Sequence, residues 1–185
     1  MSLRWLPNAV CIVRMALVVP LVVALLHREF AVALWLILVA GGSDALDGFL
    51  AKTFDWRTRL GSLLDPAADK LLVVSVFVTL TYLGVVPIGL TAIVVLRDVV
   101  IVLGAIAYQL FVEPVHGQPS SISKLNTACQ LAFILFTMTN AAYAWPPEIS
   151  LQLLGAAVVF TSIASGLNYV LRWSKRAWLV THAER

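Results

Sequence analysis

Long apolar segments separated by short polar stretches run along the whole chain. The apolar segments cover roughly residues 8–26, 31–52, 62–83, 87–111, 122–144 and 150–171. Each has about the 20 residues that a helix needs to cross the hydrocarbon core of a bilayer. The separators are polar or turn-forming, as in His27-Arg28-Glu29 and Pro146-Pro147-Glu148. The pattern predicts an all-α integral membrane protein, with residues 1–185 forming one membrane domain of six transmembrane helices.

Composition supports lipid as the surrounding solvent. The chain is 61% hydrophobic and 12% charged, with a mean hydropathy of +0.92. A soluble domain is typically about 45–50% apolar and about 25% charged. The net charge of +3 does not indicate nucleic acid binding, because the basic residues form no runs.

The distribution of basic residues predicts the orientation in the membrane. With the N-terminus inside, nine Lys and Arg residues face the cytoplasm and one, Arg28, faces the other side. A five-helix alternative with a re-entrant segment would move every later loop to the opposite side. We also expect a retained first helix rather than a signal peptide, because Arg14 interrupts the apolar run and no cleavage site follows. We therefore predict a multi-pass protein of the bacterial inner membrane, with both termini and the active site cytoplasmic.

Four aspartates around the junction of the second and third segments are the strongest chemical signal. Asp44 and Asp47 are three residues apart, and Asp65 and Asp69 are four apart, so each pair shares one helix face. Carboxylates at a membrane boundary are unfavourable unless something compensates their charge, and Lys70 alone cannot neutralise four of them. Two divalent cations would balance the formal charge.

The ligand type indicates which metals and which substrate to expect. Oxygen ligands suit hard cations such as Mg²⁺, Mn²⁺ or Ca²⁺, and the cluster has no His or Cys to favour zinc. A pair of such cations can clamp a diphosphate during phosphoryl displacement. Gly48 allows close approach of a ligand, and Lys52 lies one turn further along, where it can reach a phosphate.

Two other interpretations of these aspartates remain open. In the first interpretation, the aspartates are helix caps and solvated loop residues, but this does not explain their spacing on two helix faces. In the second, the aspartates form the transport site of an ion or metal transporter. Against the second, the carboxylates cluster toward one membrane face and no paired broken helices suggest inverted repeats.

This stretch resembles the signature of the CDP-alcohol phosphatidyltransferase family, D-x2-D-G-x2-A-R-x8-G-x3-D-x3-D. Lys52 stands where the signature has Arg, which keeps the charge but loses the bidentate geometry. The other fixed positions match in Asp44, Asp47, Gly48, Ala51, Gly61, Asp65 and Asp69.

The resemblance implies a fold of six transmembrane helices, usually as a homodimer, and a role for each matching residue. The four aspartates would hold two Mg²⁺ or Mn²⁺ ions, and Asp69 would also act as the general base. Gly48, Lys52 and Gly61 would contact the CDP group. Asn8 either reads the cytosine edge or caps the first helix, and Arg14 either reaches the nucleotide or an aspartate or snorkels toward the interface.

Further similarity points to one group within the family. Pro7-Asn8 followed by Arg14 resembles the family's P-N-x5-R entry to the first helix. Together with this entry, the more specific stretches 53–70, 90–98 with its Arg97-Asp98 pair, and 121–130 resemble the eukaryotic-type, CMP-forming cardiolipin synthases. That similarity implies CDP-diacylglycerol and phosphatidylglycerol as substrates. The alternative is a phosphatidylglycerophosphate synthase, which uses glycerol 3-phosphate as acceptor and would need a compact, strongly basic pocket.

Arg97 is a charge in the middle of the fourth apolar segment, which makes it a candidate functional residue. We expect Arg97 to bind an acceptor phosphate, with Lys124 supporting it from the loop between the fourth and fifth segments. Adjacent helical residues point about 100° apart, so Arg97 and Asp98 need not pair with each other. A purely structural ion pair is the alternative. The serines from Ser120 to Ser123 are expected to cap the fifth helix.

Overall fold

The described part of the chain consists of helices joined by short turns. A computed structural model describes the backbone of residues 6–53, 59–111 and 120–183, and the side chains of residues 13–43, 70–105 and 120–172. These residues form six helices: α1 (Leu6–Leu26), α2 (Phe30–Thr53), α3 (Arg59–Tyr82), α4 (Ile88–Phe111), α5 (Ser121–Tyr143) and α6 (Glu148–Ala183).

The helices follow the predicted apolar segments within three residues at every end but one. Helix α6 has 36 residues and continues to Ala183, whereas the apolar segment was predicted to end near residue 171. The difference arises because Arg172, Lys175 and Arg176 end the apolar run without breaking the helix. Lysine and arginine are good helix formers, so loss of hydrophobicity does not imply loss of helix.

Membrane-crossing capacity is clearest for two helices. Ile88–Ala105 of α4 and Glu148–Arg172 of α6 are long and apolar enough to span a bilayer. Within the described side chains, shorter apolar stretches cover Val13–Leu26, Phe30–Ser43 and Lys70–Tyr82. Six membrane spans therefore stay a prediction.

Two of the connections are tight turns built by the same hydrogen-bonding pattern. Gly84 adopts a left-handed conformation with φ of 74°, and the Val85 N–H donates to the Leu80 carbonyl at 2.9 Å to end α3. This is a Schellman cap, which satisfies carbonyls at the end of a helix. Arg28, with φ of 60°, ends α1 in the same way.

The chain divides into two compact units, and the single domain predicted from sequence stays a prediction. Unit 1 comprises residues 1–86 and 134–147, and unit 2 comprises residues 87–133 and 148–185. In unit 1, helix α1 packs against both α2 and α3. Its core includes Leu21 and Leu25 of α1, Ala33 of α2, and Phe77 of α3.

Unit 2 contains α4, the first part of α5, and α6. A Cβ on Gly155 of α6 would lie 3.3 Å from Leu90 of α4 and 3.4 Å from Phe133 of α5. About three turns further along α6, Ser165 hydrogen-bonds to Arg97 of α4. Contacts therefore advance in the same direction along α4 and α6, so these two helices are parallel and α5, which runs back between their ends, is antiparallel to both.

Gly155 provides a test of this packing. We expect Gly155→Leu to destabilise the protein by about 1–3 kcal/mol, because the new side chain overfills the space beside Leu90 and Phe133. Gly89→Leu is the matched control, since a Cβ at Gly89 has no neighbour within 4 Å. Thermal unfolding of the purified proteins in detergent measures both. Equal melting temperatures for the two variants would contradict the packing at Gly155.

Candidate functional site

The predicted metal-binding aspartates lie on two consecutive helices of unit 1. Asp44 and Asp47 lie on α2, and Asp65 and Asp69 lie on α3. Their side chains fall outside the described residues, as do those of Asn8, Gly48, Lys52 and Gly61. Among the side chains that are described, no three His, Cys, Asp or Glu residues come together as in a metal site. The two-cation site therefore stays a prediction.

Arg14 lies on the packed face of α1. It is 3% exposed, and it continues the line of buried residues Val18, Leu21 and Leu25 at spacings of three and four. This face of α1 contacts α2 and α3, the helices that carry the four aspartates. A buried guanidinium favours an interior role for Arg14 over a side chain extended toward the membrane surface.

Arg97 is the centre of a buried polar cluster in unit 2. Its Nη1 donates to Asp98 Oδ1 at 2.6 Å, and its Nη2 donates to Ser123 Oγ and Ser165 Oγ, each at 2.6 Å. Arg97 is only 6% exposed and Asp98 is 7% exposed. Side chains from α4, α5 and α6 thus hold one guanidinium in a fixed orientation.

The pairing of Arg97 with Asp98 was not required by the sequence, because neighbouring residues on a helix diverge. In the structure the long arginine side chain turns back to its neighbour and forms a buried salt bridge. A buried charge without a partner is strongly destabilising, so this pair allows both groups to occupy the interior. Arg97 and Asp98 together therefore contribute no net charge to the cluster.

The guanidinium keeps some hydrogen-bonding capacity. An arginine has five N–H donors, and the contacts to Asp98, Ser123 and Ser165 use three of them. Nε of Arg97 is buried and has no hydrogen-bond partner within the described part of the chain. The cluster therefore holds an oriented guanidinium whose N–H donors are not all used by the described residues, although Nε itself is enclosed by protein atoms.

The start of α5 lies beside this cation. Ser120 caps the helix as predicted, since the Ser123 N–H donates to Ser120 Oγ at 3.2 Å. Lys124 was placed in the preceding loop, and this was wrong: it lies in the first turn of α5 with an exposed side chain. Arg97 is thus in the interior of α4 but next to the N-terminal end of α5, where backbone N–H groups favour anions.

A second polar group continues along α5 and α6. Ser162 Oγ donates to Asn126 Oδ1 at 2.8 Å, and Thr161 Oγ1 lies 2.9 Å from the same oxygen. Asn126 Nδ2 and Gln130 Nε2 are buried and have no hydrogen-bond partner among the residues whose side chains are described. Interhelical hydrogen bonds of this kind fix which faces of membrane helices meet.

The sequence reading missed the contribution of α6. Thr161, Ser162 and Ser165 are small polar residues within an apolar run, and they were counted only as part of a membrane span. Their spacing is the available signal, because positions 161, 162 and 165 fall on one side of a helix. Hydroxyls alone do not identify a function, since they are compatible with an apolar helix when they bond to the backbone of the preceding turn.

Comparison with known proteins places these residues in a family. Residues 4–167 match the family model of the CDP-alcohol phosphatidyltransferases. The chain is 32% identical over 180 residues to a human protein named cardiolipin synthase (CMP-forming), covering 89% of this chain and 60% of that protein. It is 35% identical over 179 residues to a Streptomyces coelicolor protein of the same name, covering 91% and 77%.

A relative with a different name is also similar. The probable phosphatidylglycerophosphate synthase of Mycobacterium tuberculosis H37Rv is 29% identical over 175 residues, covering 90% of this chain and 80% of that protein. The chain spans about 60% of the length of the human and rat relatives. The family model covers most of the sequence, from the first helix into α6, and the chain belongs to the CDP-alcohol phosphatidyltransferase family.

Proposed function

We propose that this chain transfers a phosphatidyl group from CDP-diacylglycerol to phosphatidylglycerol, giving cardiolipin and CMP. Family membership supports the phosphatidyl transfer. The names of the human and Streptomyces relatives support cardiolipin as the product. The observation that carries the acceptor assignment is the salt bridge between Arg97 and Asp98.

The charge of the Arg97 cluster favours a phosphodiester over a phosphomonoester. A phosphomonoester carries about −1.5 to −2 charges at pH 7, whereas the phosphodiester of phosphatidylglycerol carries one. Asp98 neutralises Arg97, and the nearby Lys124 is exposed to solvent. Within the described side chains, this is not the strongly basic pocket that glycerol 3-phosphate needs. It suits a monoanion held by hydrogen bonds from Arg97 with electrostatic support from Lys124.

The register of α2 and α3 supports the proposed metal site. Buried positions on α2 include 33, 37 and 40, and the same spacing continues to Asp44 and Asp47. Buried positions on α3 include 72 and 76, and the same spacing runs back to Asp69 and Asp65. Four carboxylates suit Mg²⁺ or Mn²⁺, and two such ions would stabilise the negative charge that develops on the diphosphate.

The proposed reaction is a displacement at one phosphorus. A free hydroxyl of the phosphatidylglycerol head group attacks the phosphorus that bears diacylglycerol. Asp69 accepts the hydroxyl proton as general base. The new P–O bond joins the two lipids, and the P–O bond to CMP breaks. Arg97 and Lys124 hold the acceptor phosphate so that the hydroxyl is positioned for attack.

The cytidine diphosphate would be held by residues from the first three helices. Gly48 and Gly61 allow the backbone to approach the ligand closely. Lys52 supplies a positive charge to the diphosphate. Asn8 reads the cytosine edge, and the buried Arg14 reaches the nucleotide or an aspartate of the cluster.

The composition and the helices also indicate where the protein is located. The two membrane-capable helices and the membrane-type composition support a multi-pass protein. We place it in a bacterial inner membrane with the active site facing the cytoplasm, on the bias of Lys and Arg. A homodimer follows from the family resemblance.

The acceptor is tested directly by product analysis. Purified protein is incubated with CDP-diacylglycerol and Mg²⁺ or Mn²⁺, with either phosphatidylglycerol or glycerol 3-phosphate. We expect cardiolipin and CMP with phosphatidylglycerol only, and loss of both products when EDTA is added. A product formed only with glycerol 3-phosphate would keep the phosphatidyl transfer and overturn the acceptor assignment.

The general base is tested by Asp69→Asn. This change removes the proton acceptor and weakens a metal ligand, so we expect kcat to fall by at least about 10²-fold. Glu29→Gln is the control, because it removes an exposed carboxylate that lies outside the proposed site. Release of CMP is the measurement. Comparable rates for the two variants would contradict the role of Asp69.

The role of Arg97 is tested by removing its charge together with that of its partner. Arg97→Gln alone leaves Asp98 as an unpaired buried charge, which commonly costs about 3–5 kcal/mol. The double variant Arg97→Gln/Asp98→Asn keeps the pair neutral and should fold. We expect its KM for phosphatidylglycerol to rise about tenfold or more, with the KM for CDP-diacylglycerol nearly unchanged, because a hydrogen bond to a charged group contributes about 1.5–3 kcal/mol. An unchanged acceptor KM in a well-folded double variant would leave Arg97 a structural role only.

A further inference from the structure

A narrow groove lies between α4 and α6 on the surface of unit 2. Its cavity has a volume of about 270 Å³. Apolar side chains of both helices line it, among them Leu96, Val100, Ile163 and Leu167. Leu96 and Leu167 are 64% and 59% exposed, so the groove opens outward rather than into the packed interior of the unit.

One charged residue belongs to this lining. Arg97 forms part of the groove wall, and its guanidinium is fixed by Asp98, Ser123 and Ser165. Its Nε is enclosed by protein atoms and has no hydrogen-bond partner in the described part of the chain, so the stem of Arg97 rather than this nitrogen lines the groove. An almost wholly apolar groove beside the residue that we propose to bind the acceptor phosphate fits the hydrocarbon chain of that same acceptor.

Gly166 leaves space in the groove beside the stem of Arg97. A Cβ at this position would lie 3.8 Å from Arg97 Cγ, which is an ordinary van der Waals contact. An alanine therefore fits without displacing Arg97. A longer side chain would extend past that contact and occupy the groove, so Gly166 is the position at which groove width can be changed.

The surroundings indicate what would fill the groove. Its lining residues lie within Ile88–Ala105 and Glu148–Arg172, the two stretches that are long and apolar enough to cross a membrane. The lining on α6 extends from Ser162 to Val170, which is about 12 Å of helix. A helix about 10 Å in diameter has several times the observed volume over that length, so it could rest on the open groove but could not lie within it. A hydrocarbon chain is much thinner.

We propose that this groove holds one acyl chain of the lipid acceptor and thereby sets its phosphodiester against Arg97. The inference rests on the proposed function, because glycerol 3-phosphate has no acyl chain. Moving a chain from lipid into a groove gains little hydrophobic free energy, since both surroundings are apolar. The groove acts instead through position, because a chain fixed beside Arg97 limits where the head-group hydroxyl can lie.

The test narrows the groove and compares acceptors with long and short chains. Gly166→Leu should lower kcat/KM for dioleoyl phosphatidylglycerol about tenfold, because small misplacement of a reacting group is costly. The loss should shrink to less than about twofold with dihexanoyl phosphatidylglycerol, whose chains are too short to fill the groove. The KM for CDP-diacylglycerol should stay unchanged.

A control variant outside the groove separates groove filling from general disturbance. Ala156→Leu adds bulk at an exposed position of α6 that does not line the groove and should behave as wild type. Equal kinetics for Gly166→Leu and Ala156→Leu with every acceptor would overturn the groove assignment.

Other outcomes identify other occupants. If Gly166→Leu changes the oligomeric state in detergent and lowers activity equally with both acceptors, the groove is an interface between two copies of the chain and the proposal is wrong. If wild type makes no cardiolipin but uses glycerol 3-phosphate, the proposed function fails. If wild type makes cardiolipin and Gly166→Leu is unaffected, only the groove proposal fails.

Discussion

A guanidinium buried among apolar helices constrains how α4, α5 and α6 pack in unit 2. An ionised side chain in such surroundings is strongly unfavourable unless it is paired and hydrogen-bonded. Arg97 meets that requirement through Asp98 on its own helix and through Ser123 and Ser165 on two others. The position of α4 relative to α5 and α6 is therefore not free, because a rotation of any one helix would remove a partner from a buried charge.

The same constraint explains the register of the neighbouring contacts. Once Ser123 and Ser165 meet at Arg97, antiparallel helices place Asn126 opposite Thr161 and Ser162, as their hydrogen bonds require. Continuing along both helices brings Phe133 to Gly155, where the absence of a side chain lets the helices approach. Polar contacts thus specify the alignment and a glycine permits the close packing, which is the usual division of roles in membrane helices.

The sequence was sufficient for the helices because each apolar run is about as long as a bilayer requires. It failed at the end of α6, where the charges around Lys175 end the apolar pattern and the helical backbone continues. The sequence identified Arg97 as a candidate functional residue, since a charge within an apolar run needs an explanation. The hydrogen-bond partners of Arg97 could not be predicted from the sequence. Asp98 is a neighbour that need not pair, and Ser165 resembles any small residue in a membrane helix. Which side chains reach Arg97 depends on how three helices pack together, and the local sequence pattern does not specify that packing.

The division of the chain into two units separates the two parts of the proposed reaction. The aspartates and the residues proposed to bind CDP lie on the helices of unit 1, whereas Arg97, Lys124 and the groove belong to unit 2. Relatives with different names share the family, some as cardiolipin synthases and some as phosphatidylglycerophosphate synthases. Under our proposal, each of these proteins needs the same metal-binding and CDP-binding residues to use its CDP-linked donor. The acceptors differ in the charge of their phosphate and in whether they carry acyl chains. Acceptor choice would then depend on how much of the charge on Arg97 its neighbours neutralise and on whether residue 166 leaves a groove beside it. Both properties can change through a few side chains of unit 2 without altering the aspartates.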